Sequence, residues 1–233
     1  MPEVDTIVII GNGPSMRGVD FSIFNGVHTF GMKHAFRFFR EINWWPTYYG
    51  CFDHLSLEER VRAYQELVND PAVTVQTFFF LRPICNSPRL RHIPFIRHKL
   101  YSFGKTFAEF GDGGNTAVNC AQVAVCLGYR RILLIGIDCN WANVPEGAEG
   151  RYSIPGDIAS RDYFFDGYKL DGEVFHAPRP QIYHFPAWQK FGEFARKEGI
   201  EVVNCSPISK LAYFRKSTLE AELLPINRSS SES

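Results

Sequence analysis

The run from Thr6 to Ile10 (TIVII) is short, β-branched and almost wholly apolar, with no polar alternation, and it stops at Gly11. That pattern predicts a strand covered on both faces, as in a parallel sheet. Val27 to Met32 and Thr47 to Phe52 read as the second and third strands, the latter following Pro46 and ending at Asp53. Ala35 to Ile42 between them reads as a short helix. Ser56 followed by Glu58 and Glu59 predicts a helix start, with the helix running through Arg60, Tyr64 and Leu67 to Asn69 before Pro71. Val73 to Leu81 (VTVQTFFFL) is the fourth expected strand. From Arg82 to Phe110 the prolines and basic residues show no period, which predicts a long irregular loop with room for one short helix. Loops of that length are usually functional or mobile.

The second half is more regular. Thr116 to Leu127 is a small-residue helix capped by Gly128, and it feeds Arg131 to Ile137 (RILLIGI), a buried strand closing on Asp138. Asn140 to Pro180 has the length and the glycine and aromatic content of an active-site lid. Pro186 to Glu198 predicts a helix capped by Gly199, and Ile200 to Asn204 a last strand. The turn Cys205-Ser206-Pro207 and a closing helix near Leu219 follow. Strands alternating with helices predict an α/β fold: a single open, mostly parallel, Rossmann-like sheet with helices on both faces and a long lid-like loop. Ligands in such folds sit beyond the carboxyl ends of the strands, so the loops after Ile10, Phe52, Ile137 and Asn204 are expected to share one crevice.

Composition bounds the partners. The 233 residues suffice for one nucleotide-binding domain, expected over 1–226, with a polar serine-rich tail at 227–233. Lysine plus arginine equals aspartate plus glutamate at 25 each, so no global field draws in nucleic acid or an anionic surface, and any anion must be met locally. The richest basic stretches are Lys33 to Arg40 and Arg82 to Lys105. The six cysteines form no Cys-x-x-Cys pair, which argues against a zinc knuckle or a disulfide framework. No apolar run approaches the roughly 20 residues of a membrane span, and no signal-peptide pattern opens the chain, so the expected location is cytoplasmic, with at most peripheral membrane attachment.

Several residues could carry chemistry. Gly11-Asn12-Gly13-Pro14-Ser15 follows the first strand, where glycines let backbone approach a ligand and free N–H groups can hold phosphate oxygens. The loop lacks the lysine of a Walker motif and the third glycine of a dinucleotide fingerprint. A second turn, Gly111-Asp112-Gly113-Gly114-Asn115-Thr116, precedes a helix and offers an anion site at its N-terminus. Asp53 and Asp138 each end a strand and can reach a ribose, a metal or a hydroxyl; either can equally cap the loop that follows. His184, beside Tyr183 and before the helix near Pro186, is a candidate general base because an imidazole titrates near neutrality. His176 and His34 are weaker candidates. A packing or capping role is the alternative for each histidine.

These motifs carry a resemblance. The first loop, Thr-Phe-Gly with Pro-Thr-Tyr-Tyr and an aspartate, a Gly-Gly-x-Thr helix leading into Leu-Gly-Tyr and Leu-Ile-Gly-Ile-Asp, and Asn204-Cys205-Ser206-Pro207 resemble a group of bacterial surface-polysaccharide proteins. That group is similar to the 6-hydroxymethylpterin pyrophosphokinase-like domain and, more distantly, to small bacterial lipooligosaccharide sialyltransferases. The resemblance runs from about Asp5 to Leu224. It implies nucleotide contacts for Asn12 and Thr116 and the role of catalytic base for His184. The chain departs from the sialyltransferases at Lys33, near Asp53 and at Gly113, which leaves the donor open.

The reading taken together is a sialyltransferase-like glycosyltransferase of inverting type. It would use a nucleotide-activated sugar, CMP-linked donors among the candidates, to modify a surface polysaccharide or lipooligosaccharide. Gly11 to Ser15, Lys33, Asp53, Gly114, Asn115, Thr116 and Asp138 would form the nucleotide site, and Tyr163, Tyr168 or Lys33 would steady the leaving phosphate. No obligatory metal or other cofactor is expected. The alternatives are an ATP- and Mg²⁺-dependent pyrophosphokinase with Asp53 or Asp138 near the metal, and a nucleotide-binding accessory protein without catalysis.

Overall fold

The computed structural model describes residues 5–142, 150–153, 155–176 and 178–223; the serine-rich tail lies outside them. Its framework is an eight-stranded sheet, parallel throughout: β1 (Thr6–Ile10), β2 (His28–Met32), β3 (Tyr48–Cys51), β4 (Thr77–Phe80), β5 (Leu90–His92), β6 (Arg131–Ile135), β9 (Glu201–Asn204) and β10 (Arg215–Lys216). A separate antiparallel pair, β7 (Arg151–Ser153) and β8 (Val174–His176), belongs to the lid segment. The spatial order β10-β9-β6-β1-β2-β3-β4-β5 means the chain builds outward from β1 on one side, then returns to β1's other edge through β6. Right-handed crossovers in two opposite directions put helices on opposite faces of the sheet. The reversal between β1 and β6 opens a crevice at their carboxyl ends.

The expected apolar runs are the buried strands. Ile7, Val8, Ile9 and Ile10 are fully enclosed, and in β4 the alternation sends Phe78 and Phe80 to one face and Phe79 to the other. Phe80 meets Tyr64 at 5.3 Å between ring centroids, while Phe79 meets Phe30 at 5.8 Å and stacks on Phe107. The helix α4 (Thr116–Leu127) packs across β1, β2 and β3, and Gly128 ends it in the left-handed conformation at φ 100°. α6 (Phe185–Lys197) covers β9 and touches α4.

Three expectations need correction. The helix expected from Ser56 to Asn69 is two, α2 (His54–Glu59) and α3 (Val61–Asn69), broken at Arg60 with φ −130°. Ser56 is not its cap: Asp53 is, its carboxylate accepting from the Leu55 and Ser56 amides at 3.1 and 3.2 Å. The long loop from Arg82 to Phe110 contributes the edge strand β5, held by backbone bonds such as Phe78 N–H to the Arg89 carbonyl at 2.7 Å. Leu90-Arg91-His92 carries no apolar run because only one edge is paired: Arg91 and His92 face water, and Leu90 alone packs against the core. The short helix between β2 and β3 is α1 (Phe36–Glu41), and within the lid α5 (Gly156–Ser160) precedes the aromatic turn around Tyr163. A last helix spans 219–223.

Candidate active site

The loops after β1 and β6 meet almost backbone to backbone. Gly11 N–H donates to the Ile135 carbonyl at 2.7 Å and Gly13 N–H to the Gly136 carbonyl at 2.8 Å. A Cβ on Gly136, which stands at φ 71°, would lie 2.6 Å from the Gly11 carbonyl oxygen, and one on Gly13 would strike the Asp138 carboxylate. The glycines are therefore required by loop-on-loop contact. The amides expected to cradle a phosphate are largely spent in holding this contact, and in the first loop Asn12 N–H is the one left over among the described residues.

Asp138 is buried beneath this loop, accepting from the Ser15 hydroxyl at 2.5 Å and the Ser15 amide at 2.8 Å. Burial raises its pKa and the two Ser15 bonds oppose the rise. Pro14, Ser15 and Asp138 thus stand behind the cavity wall, where their geometry braces the loop. Asn12 faces the cavity. Its Nδ2 donates to the Tyr168 hydroxyl at 2.9 Å and the Met32 carbonyl at 3.3 Å, leaving Oδ1 buried without a partner among the described residues.

The second glycine turn is likewise mostly self-satisfied. Gly113 N–H donates to Asn119 Oδ1 and Gly114 N–H to Asp112 Oδ1, each at 2.8 Å. The Asn115 side chain caps α4 through the Val118 amide at 3.1 Å. What stays open at the positive end of this twelve-residue helix is the pair of Thr116 and Ala117 amides, both lining the cavity. The Thr116 hydroxyl accepts from Phe52 N–H at 3.3 Å and keeps its proton to donate.

Across the cavity, Lys33 Nζ meets Asp53 Oδ2 at 2.8 Å. Lys33 is in the left-handed region at φ 55°, where a side chain costs about 1–2 kcal/mol, so the backbone is bent against preference to aim this ammonium. Burial pushes the Lys33 pKa down, but Asp53 and the Tyr168 hydroxyl overcome that and hold it above the usual range. In return Lys33 holds the Asp53 carboxyl well below the usual carboxylate range. Cys139, the residue after Asp138, is bent the same way at φ 50°.

The lid closes the near side. The Tyr163 and Tyr168 rings stack at 3.8 Å, and Arg37 fastens the segment through the Tyr168 carbonyl at 3.1 Å and Glu173 at 2.8 Å. Tyr168 is buried, and desolvation moves its hydroxyl up to about 12. Lys169 also lines the cavity; burial, then the charges of Arg60 and Lys33, bring its ammonium down to about 7.

His184 ends a π turn (Pro180–His184) that runs directly into α6, one turn before Trp188. Half-buried, it lies against Trp141 with ring centroids 4.6 Å apart. Burial first and the Lys33 charge second push its pKa down to about 4, so the imidazole is neutral and able to accept a proton at physiological pH. His34 is buried between the Ser56 hydroxyl and the Tyr168 ring, and His176 faces Glu59 at 3.2 Å.

These loops and the lid enclose one cavity of about 570 Å³, large enough for a nucleotide with an attached sugar. It brings together Gly11 to Gly13, Lys33, Asp53 and Gly114 to Thr116 with Tyr163, Tyr168 and His184. Arg60, Trp141, Lys169 and Trp188 also border it, and the sequence carries no local signal for them. Among the described residues no three His, Cys, Asp or Glu side chains cluster as metal ligands would.

No family model matches the chain, and no curated protein matches it significantly. Among solved structures, the MAf glycosyltransferase from Magnetospirillum magneticum AMB-1 is similar over 97% of this chain, at 15% identity and a TM-score of 0.53. The chain spans 37% of that protein's length. The sialyltransferase CstII from Campylobacter jejuni, solved with the substrate analogue CMP-3FNeuAc, is similar over 91% of this chain and 86% of its own, at 16% identity and a TM-score of 0.50. The resemblance to small bacterial sialyltransferases therefore holds at the level of the fold.

Proposed function

We propose that this chain is a glycosyltransferase that takes a nucleotide-activated sugar and passes the sugar to a hydroxyl of a glycan acceptor. The observation that carries the reading is the placement of a neutral imidazole, His184, in the same cavity as the open amides of α4. The two are physically tied, since Asn115 at the start of α4 donates to the Tyr183 carbonyl at 2.8 Å. The likeness in fold to two glycosyltransferases supports the same class.

In this reading the nucleotide phosphate lies against Thr116 and Ala117 N–H, with the Thr116 hydroxyl and the Lys33 ammonium beside it. His184 takes the proton from the acceptor hydroxyl as that oxygen bonds to the anomeric carbon. The bond from the anomeric carbon to the phosphate oxygen breaks, and its electron pair leaves with the nucleotide. Attack from the face opposite the leaving group inverts the anomeric centre. Charge growing on the phosphate is met by the helix amides, Lys33 and the Tyr168 hydroxyl, donors already oriented before reaction. The reading calls for no metal, and places the reaction in the cytoplasm.

The pyrophosphokinase alternative is less favoured because both carboxylates it would bring to a metal are committed, Asp53 to Lys33 and the α2 cap, Asp138 to Ser15. A thermal-shift panel of CMP, UDP, GDP, ATP and their sugar conjugates, with and without chelator, tests the reading. A ligand at about 100 times its dissociation constant raises stability by roughly 2.7 kcal/mol. A response to ATP only with Mg²⁺, and to no sugar nucleotide, would overturn it. Sugar-nucleotide binding with no turnover of any donor would leave an accessory protein.

A further inference from the structure

The mouth of the cavity has a rim of unusual composition. Between Asp70 and Glu109 the chain carries no acidic residue and six cations, Arg82, Arg89, Arg91, Arg97, Lys99 and Lys105, although its overall charge is balanced. The fold sorts them. Arg89 turns inward onto backbone carbonyls, and Arg82, Arg97 and Lys105 pair with Glu58, Glu109 and Glu198. Arg91 and Lys99 are exposed and meet no carboxylate among the described residues. The same holds for Arg179, at the cavity edge before the π turn.

Large apolar side chains stand in the open beside these cations. Ile96 is 52% exposed, Ile182 48% and Tyr183 40%, and Leu100 joins them. They form one surface, because the Tyr101 hydroxyl donates to the Ile182 carbonyl and so holds the two segments together. Leu100 and Tyr183 also line the cavity, which makes the patch continuous with its mouth, and Leu55 at the start of α2 is exposed on the cavity wall as well.

Unpaired cations alone would suit any polyanion, and exposed apolar residues alone any greasy partner. The combination fits an interface where apolar side chains can sink while cations stay among phosphates, which is what an anionic lipid surface offers. An acidic protein face would meet the cations but leave Ile96 and Ile182 with nothing to bury against. We propose that this rim docks on an anionic membrane surface with the cavity mouth turned toward it. The inference stands on the rim and not on the proposed chemistry; with that chemistry it would bring a lipid-borne acceptor to the mouth.

Flotation of the full chain with vesicles tests it. Wild type is expected to float with vesicles of phosphatidylcholine and phosphatidylglycerol in equal parts, to stay behind with phosphatidylcholine alone, and to be released by high salt. Lys99→Glu and the pair Ile96→Glu with Ile182→Glu should each reduce binding about tenfold or more. Circular dichroism and melting unchanged from wild type would show these surface variants folded. Wild type that floats with neither vesicle, variants that float as wild type does, or capture by soluble polyglutamate in preference to the anionic vesicles would each overturn the proposal.

Discussion

Asn115 serves two elements at once: its Oδ1 caps α4 through Val118 N–H at 3.1 Å, and its Nδ2 donates to the Tyr183 carbonyl at 2.8 Å, next to His184. The candidate phosphate site and the candidate base thus share one side chain. Asn115→Asp keeps the cap and loses the tie, whereas Asn115→Ala loses both. The alanine variant is expected to lose about 1 kcal/mol, a melting shift of roughly 2–4 °C for a chain of this size. The aspartate variant should melt near wild type yet turn over more slowly. Equal turnover in aspartate variant and wild type would show that the tie does not position His184.

His184→Ala should lower turnover by about 10² to 10⁴ with nucleotide affinity nearly intact, the usual size of a general-base contribution. The acid limb of the rate profile should lie near the pKa of about 4 that burial and Lys33 impose, well below an ordinary histidine. Protonation silences the base, so activity should persist as pH falls past 6.5 and fail only on approach to that value. Steady-state rates between pH 4 and 8 check both; a midpoint at 6 to 7 would show an imidazole in open water.

Lys33→Ala removes the charge that lowers the Asp53 pKa. A carboxyl whose folded pKa is depressed contributes stability that is fully present above its unfolded value near 3.8 and is lost progressively as pH falls below that value toward the depressed folded one. Wild type should therefore exceed the variant in stability at pH 7, and the gap should narrow toward pH 3. Urea melts at the two pH values measure it, and calorimetry should show weaker nucleotide binding at pH 7.

Gly13→Ala places a methyl group against the buried Asp138 carboxylate, and overpacking of that kind costs about 1–3 kcal/mol. Gly192→Ala, whose Cβ would touch only the Phe214 ring at 3.0 Å, should cost less because a ring edge can shift. Chemical denaturation of the two variants gives the comparison; equal losses would mean the loop after β1 is softer than its contacts imply.

The buried strands, α4 with its Gly128 cap, and the entry of α6 behind His184 are legible in the sequence, because continuous apolar runs and capping residues act through local geometry. Of the loops after Ile10, Phe52, Ile137 and Asn204, expected to share one crevice because the strands of a parallel sheet end on one edge, the first three border the cavity and the last does not. Only the tertiary structure decided which polar groups remain available. The Gly13 amide is taken by the Gly136 carbonyl and Asp138 by Ser15, partners remote in sequence, while Gly113 and Gly114 spend theirs on the nearby Asn119 and Asp112 side chains. The pairing of Lys33 with Asp53 joins residues twenty apart, and the low pKa of His184 comes first from burial and then from the Lys33 charge, which the fold brings near it. Hydrogen-bond partners, desolvation and Coulomb forces are set by distance in space, and one-dimensional spacing carries no record of them.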